Sequence, residues 1–217
     1  MKIIALILSL STIFCFSSCK NNDVYHQKIS QLRQTILFAE NDDFLIFAYP
    51  ETCENPQIDD GVKRQTENKI TFKLQVKDQN FNFENGKIEF SINDKSYKIN
   101  FDYSTISSFF YCSLAVDTLP SDNLYLTVFF NDKNAGLSLS SLKNATTLSP
   151  EKTLKTLEKQ DDFVKNFLKD DSGEIKVRFI DNDGFDYWYL GFTTSQKTTS
   201  YLVDGETCEI LAIKHEK

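Results

Sequence analysis

The chain has 217 residues, with 24 basic against 31 acidic side chains and a formal net charge of −7. No basic run interleaves with aromatics, which excludes the pattern expected of a nucleic-acid binder, and an acidic chain has no electrostatic pull toward an anionic membrane surface. Phe is frequent, at 19 residues, and Tyr adds 9, enough apolar material for one large domain or two small ones.

The chain opens with Lys2, then an almost wholly apolar run from Ile3 to Phe16, then the small residues Ser17 and Ser18 before Cys19. A charged start, a short apolar core and small residues before a cut describe a secretory signal. The run is 14 residues, short of the roughly 20 that span a bilayer as a helix. Phe16-Ser17-Ser18-Cys19 resembles the cleavage box of a bacterial lipoprotein signal. That resemblance implies a signal peptide over residues 1–18 and lipidation of Cys19, which would become an acylated mature N-terminus. It also implies a chain held at the cell envelope, outside the cytoplasm, by its lipid. No later segment is long and apolar enough to span a membrane, so the lipid is the expected attachment. Residues 19–23 read as a polar tether.

From Val24 to Glu40, Ile29, Leu32, Ile36 and Ala39 fall at helical spacing and predict one amphipathic helix. Asn41-Asp42-Asp43 breaks it. Phe44 to Tyr49 is a continuous apolar run, read as a buried strand that Pro50 ends. A polar loop follows over Glu51 to Gly61, carrying Glu51, Glu54, Asp59 and Asp60. Hard cations want several oxygen ligands, but the spacing lacks the calcium-loop pattern, and solvated acidic loops are far commoner. No metal or cofactor is expected.

From Lys69 the period is two. Ile70, Phe72, Leu74 and Val76 predict a half-buried strand. Ile88 to Ile92 and Tyr97 to Phe101 predict a hairpin, Phe109 to Val116 another strand, and Leu124 to Phe130 with Leu137 to Leu142 two more. Close-spaced strands with polar turns suggest an antiparallel sandwich, its topology, immunoglobulin-like or other, left open. Asn144-Ala145-Thr146 matches a glycosylation acceptor, a match that three residues often make by chance.

Ser149-Pro150-Glu151 opens a helix, with Ser as N-cap and Pro at the first helical position. Its stripe of Leu154, Leu157, Val164, Phe167 and Leu168 runs to a stop at Asp170-Asp171-Ser172-Gly173. Strands follow over 174–180, 187–193, 199–203 and 209–213. The acidic loop Asp181-Asn182-Asp183-Gly184 joins the first two, and Asp204-Gly205-Glu206-Thr207 makes a tight turn. The fold class is α+β, mostly β. An N-terminal helix and a β-sandwich fill residues 24–145, and a helix plus antiparallel meander fills 146–217.

That last third resembles a PepSY-type module in Ser149-Pro150-Glu151, in Tyr187-Trp188-Tyr189-Leu190-Gly191-Phe192, and in the closing stretch Val203 to Leu211. It departs at Cys208, where the family has Gly, a residue suited to backbone that Cys adopts only with strain. The resemblance implies a binding or peptidase-modulating role and brings no catalytic residues. The whole layout also resembles lipoproteins of unassigned function from low-GC bacteria.

After Cys19 only Cys53, Cys112 and Cys208 remain, too few for a disulfide scaffold, and packed thiols are the expectation. His26 and His215 lie near opposite ends. The leading expectation is a non-enzymatic envelope lipoprotein that binds a protein such as a peptidase, a peptide or a glycan. Its candidate surfaces are Phe109, Phe110 and Tyr111, and Tyr187, Trp188 and Tyr189. Core packing is the competing role for these aromatics. A second reading is a carboxylate-dependent envelope hydrolase drawing on Glu51, Glu54, Asp59, Asp60, Asp181 and Asp183. A third is a solute-binding lipoprotein, for which the chain is short. Ligand and oligomeric state cannot be read from the residues.

Overall fold

The computed structural model describes residues 22–77, 86–105, 108–130, 133–170 and 172–216. Cys19 and the signal-like segment lie outside the described residues. No helix among them is long and apolar enough to cross a membrane.

The expected helix over 24–40 is a correction. A short helix α1 (Asn22–Lys28) gives way to two strands, β1 (Ile29–Arg33) and β2 (Leu37–Glu40). Ile29, Thr35 and Ile36 are β-branched, which disfavours continued helix. In β1 the successive residues Ile29, Ser30 and Gln31 are all buried, so the strand lacks a wet face at that end and its apolar spacing imitates a helical stripe.

Strand β3 (Phe44–Glu54) is the second correction, because it runs through Pro50 to Glu54. Its far edge pairs with β2 at Leu45–Ala48 and with β1 at Thr52 and Cys53. Between those contacts the edge carries no strand, a place where a residue without an N–H is tolerated.

The strands β4 (Thr66–Val76), β5 (Gly86–Ile92), β6 (Lys95–Asn100), β7 (Asp102–Ser104), β8 (Phe109–Ala115), β9 (Asn123–Phe130) and β10 (Lys133–Ser141) complete the first half. Asn93 and Asp94, with φ of 48° and 64°, form the two-residue β5–β6 turn, the left-handed pair a tight hairpin requires. The two layers of the sandwich belong to one sheet. From β2 it continues one way through β3, β4, β8 and β7, and the other way through β10, β9, β5 and β6. The layers meet through Phe44 stacked on Phe130 at 4.3 Å and Phe72 tilted on Phe90 at 5.2 Å.

The predicted second helix is two, α2 (Pro150–Gln160) and α3 (Asp162–Lys169). Asp161 sits between them in extended backbone, and its carboxylate accepts from the N–H groups of Phe163 and Val164. An Asp that caps a new helix also ends the old one. Both helices pack on β11 (Glu174–Asn182), β12 (Phe185–Thr193) and β13 (Thr198–Asp204), with β14 (Ile210–Glu216) beyond.

Two cores result, one inside the sandwich and one under the helices. The helix-plus-meander arrangement is present, and one element ties it to the rest. Strand β1 pairs parallel with β11 and antiparallel with β3, so the described strands form one sheet. Tyr25, Ile29 and Ile36 from the N-terminal segment join the second core. Its cysteine, Cys208, has φ +62° and is fully buried, with its thiol toward the Thr153 carbonyl at 3.5 Å. The backbone strain is offset by packing a side chain that Gly would lack.

Candidate ligand-binding face

Alternation along β3 sends Phe44, Ile46 and Ala48 into the first core and places Phe47 and Tyr49, half-buried against the second core, with the buried Glu51 on the opposite face. Register carries that face across six strands. Lys73 of β4 stands opposite Tyr111 of β8. The Lys73 ammonium lies over the Tyr49 ring at 5.4 Å, and the Arg33 guanidinium lies over the same ring at 5.2 Å. Arg33 is the β-partner of Arg178, which lies over the Tyr189 ring at 5.4 Å. Tyr111, Lys73, Tyr49, Arg33, Arg178 and Tyr189 therefore form a ladder of rings and cations. It is about 24 Å long, from five strand spacings of about 4.8 Å.

A polar relay runs beside it. Arg178 Nε donates to Gln31 Oε1 at 2.7 Å, Gln31 Nε2 donates to Glu51 Oε2 at 2.6 Å, and Lys69 Nζ lies 3.4 Å from Glu51 Oε1. Arg33 donates through Nε and Nη2 to the Phe179 carbonyl at 3.3 and 3.2 Å. Burial pulls the Arg33 guanidinium down from its ordinary range; Glu51 opposes this and the Arg178 charge adds to it. Burial pushes the Tyr49 phenol up, with Arg33 opposing. The Tyr189 hydroxyl shares a 2.9 Å hydrogen bond with Ser200, which fixes the ring beneath Arg178.

The six sequence-predicted aromatics divide by strand alternation. Phe110 and Trp188 belong to the two cores, so neither offers surface. Phe109, Tyr187 and Tyr189 are half-buried, and Tyr111 is 44% exposed. The ladder takes Tyr111 and Tyr189 from the two sets and joins them through Tyr49, Arg33, Arg178 and Lys73, which sequence reasoning missed. Charged residues at alternate strand positions, as in Lys176-Val177-Arg178, were the available signal. Reading residues 24–40 as helix hid Arg33.

Of the predicted carboxylates, Glu54 and Asp60 meet at the Arg64 side chain, Asp181 and Asp183 share a turn, and these groups lie apart from one another. Glu51 and Glu54 are not in a loop; they are buried at the end of β3. Glu54 accepts from the Arg64 N–H and Asp60 pairs with the Arg64 side chain at 2.5 Å. Asp59 pairs with Lys176. Asp181, pushed up by burial with Asp186 and Asp183 adding, lies toward the β11–β12 turn with Asp183. Surface depressions of about 260, 580 and 640 Å³ each have a single carboxylate in their lining, Asp122, Glu89 and Asp170 respectively. Among the described residues no three of His, Cys, Asp and Glu are grouped to hold a metal ion. Cys53, Cys112 and Cys208 are free and buried, and burial pushes the Cys112 thiol up to about 12, which suppresses thiolate chemistry.

One carboxylate lies outside those predicted. Glu174 is fully buried at the start of β11. Its Oε1 accepts from the Gly61 N–H at 3.3 Å, while Oε2 has no partner. Burial holds its carboxyl above the ordinary range; the Ser30 hydroxyl and the Gly61 N–H oppose this, and the Glu54 charge adds to it. A raised folded value favours the protonated form. The stability it supports is thus full below about pH 4.5, the ordinary value, and is lost as pH rises through the folded value. Glu174→Gln is expected to raise Tm at pH 7 by on the order of 2–4 °C, which about 1 kcal/mol is worth at this length. The gain should vanish near pH 4. Thermal melts from pH 4 to 8 check it, and a pH-independent difference would contradict the assignment.

No protein-family model matches the sequence, and no curated protein matches it. Among solved structures, one described as a candidate lipoprotein from Clostridium difficile 630 aligns over 60% of this chain and 80% of its own, at 11% identity and a TM-score of 0.27. That score is too low to carry any argument about fold or role.

Proposed function

We propose that this chain is a non-enzymatic, lipid-anchored protein of the bacterial envelope that binds an envelope ligand on the ladder face. The observation that carries the binding reading is the six-strand run of Tyr111, Lys73, Tyr49, Arg33, Arg178 and Tyr189 on one side of the sheet. Aromatic and arginine side chains are the commonest anchors of binding surfaces, and here they are held in register by backbone pairing. The anchor rests on Lys2, the apolar run and Cys19. The peptidase partner implied by the PepSY resemblance is one occupant among peptides, proteins and glycans.

The test is co-sedimentation of the full chain, held in detergent, with isolated envelope material. The wild-type chain is expected to sediment, and Lys73→Ala/Tyr111→Ala to lose at least tenfold in apparent affinity while its far-UV spectrum is unchanged. Equal sedimentation of the two would overturn the assignment of the face. Labelling with an alkyne fatty acid checks the anchor, and label retained in Cys19→Ala would refute it.

A further inference from the structure

We infer that Arg33 and Arg178 form an oxyanion site for a phosphate monoester, the charged group of the ligand that the ladder face binds; this rests on the binding reading above. The two guanidiniums are β-partners on adjacent parallel strands. Neither has a carboxylate within 4.0 Å among the described residues, although both are half-buried. Like charges placed side by side and partly withdrawn from water repel each other and lose hydration. The cluster of Arg33, Arg178 and Lys69 has one acid, Glu51, reached through Gln31 and Lys69. It therefore keeps a net of two positive charges on a chain whose overall charge is negative.

The donors are arranged rather than loose. Arg33 spends Nε and Nη2 on the Phe179 carbonyl, and its Nη1 has no acceptor among the described residues. Arg178 spends Nε on Gln31, and its two Nη groups have no acceptor among the described residues. Each guanidinium lies over a tyrosine ring, which limits its freedom and pre-organises the fork. One fork satisfies one carboxylate. The Nη pair of Arg178 with Nη1 of Arg33 beside it suits an anion with three free oxygens and nearly two charges, which is a phosphate monoester. The phosphoryl group can be sugar-borne or a lipid headgroup, and inorganic phosphate is the minimal probe of the same oxygens.

The experiment is calorimetric titration of the full chain in detergent with inorganic phosphate, glucose 1-phosphate and dihexanoyl phosphatidic acid, and with glucuronate as the carboxylate control. At least one phosphate compound is expected to bind at least tenfold more tightly than glucuronate. Arg178→Lys keeps the charge but not the fork and should weaken that binding about tenfold; Arg33→Gln/Arg178→Gln should abolish it. Tight binding of the lipid alone assigns the ester to a headgroup and tight binding of glucose 1-phosphate alone to a sugar, whereas tight binding of inorganic phosphate with neither ester bound overturns the monoester assignment. Glucuronate binding as tight as phosphate, or phosphate binding unchanged in folded Arg178→Lys, overturns the site. Should Arg33→Gln/Arg178→Gln still sediment with envelope material as the wild-type chain does, the oxyanion site falls and the binding face stands. Should the wild-type chain fail to sediment at all, the binding face falls whatever the titrations give.

Discussion

Replacing Trp188 with alanine is expected to lower the free energy of unfolding by about 3–5 kcal/mol, the range for emptying a large aromatic site. Trp188 is fully buried beneath the helices. It meets Phe179 edge-on at 5.7 Å, and Lys143 caps its ring at 5.2 Å. Its indole N–H donates to the Leu148 carbonyl at 3.2 Å, so truncation leaves a cavity and an orphaned acceptor together. Urea denaturation followed by circular dichroism is the measurement, because the chain has one Trp and its fluorescence goes with it. Tyr111→Ala, at a 44% exposed position, is the contrast and should stay within about 0.5 kcal/mol. Similar costs for the two would mean that Trp188 is not the core residue its burial indicates.

The second large effect is expected at Glu51. Its side chain is 9% exposed and takes hydrogen bonds or charge from Gln31 and Lys69. Glu51→Gln keeps the shape and one acceptor but removes the cluster's one negative charge. Breaking a buried pair from one side typically costs about 3–5 kcal/mol. Lys69 is 24% exposed, so water recovers part of that and about 3 kcal/mol is the expected loss. Lys69→Met in the same background should lessen it, since the second change removes the stranded cation. A double-mutant cycle by chemical denaturation reads the coupling. A loss below 1 kcal/mol with no coupling would show that solvent neutralises the cluster.

The middle of the chain was legible because each strand there has one wet and one dry face. Ile70, Phe72 and Leu74, or Leu124, Leu126 and Val128, declare period two without help from anything distant. Ser149-Pro150-Glu151 declared a helix start for the equally local reason that it satisfies the first turn. What was not legible depends on partners far along the chain. Nothing near Ile29 and Leu32 says that a strand from residues 174–182 will lie beside them, and without that partner their spacing fits a helix. Pro50 reads as a stop until the unpaired stretch of the β3 edge is seen. Asp161 reads as one more exposed acid until its carboxylate is found on the Phe163 and Val164 amides. The candidate face shows the same division. Tyr111 and Tyr189 could be picked as aromatics, but pairing them through Tyr49, Arg33, Arg178 and Lys73 needs the register of six strands.

The central place of β1 also has a consequence in time. A ribosome makes β1 early and the strand that covers its other edge late; Arg33 and the Phe179 carbonyl it holds are 146 positions apart. At synthesis rates of about 5–20 residues per second, that gap lasts roughly 7–30 s. Throughout it, Tyr25 and Ile29 have no second core to enter, and β1 bares a row of backbone donors and acceptors, the kind of edge that recruits neighbouring chains. The strand that finally lies mid-sheet therefore stays an open edge until the final third of the chain is delivered, and for a chain exported through its signal segment that exposure falls outside the cytoplasm as well.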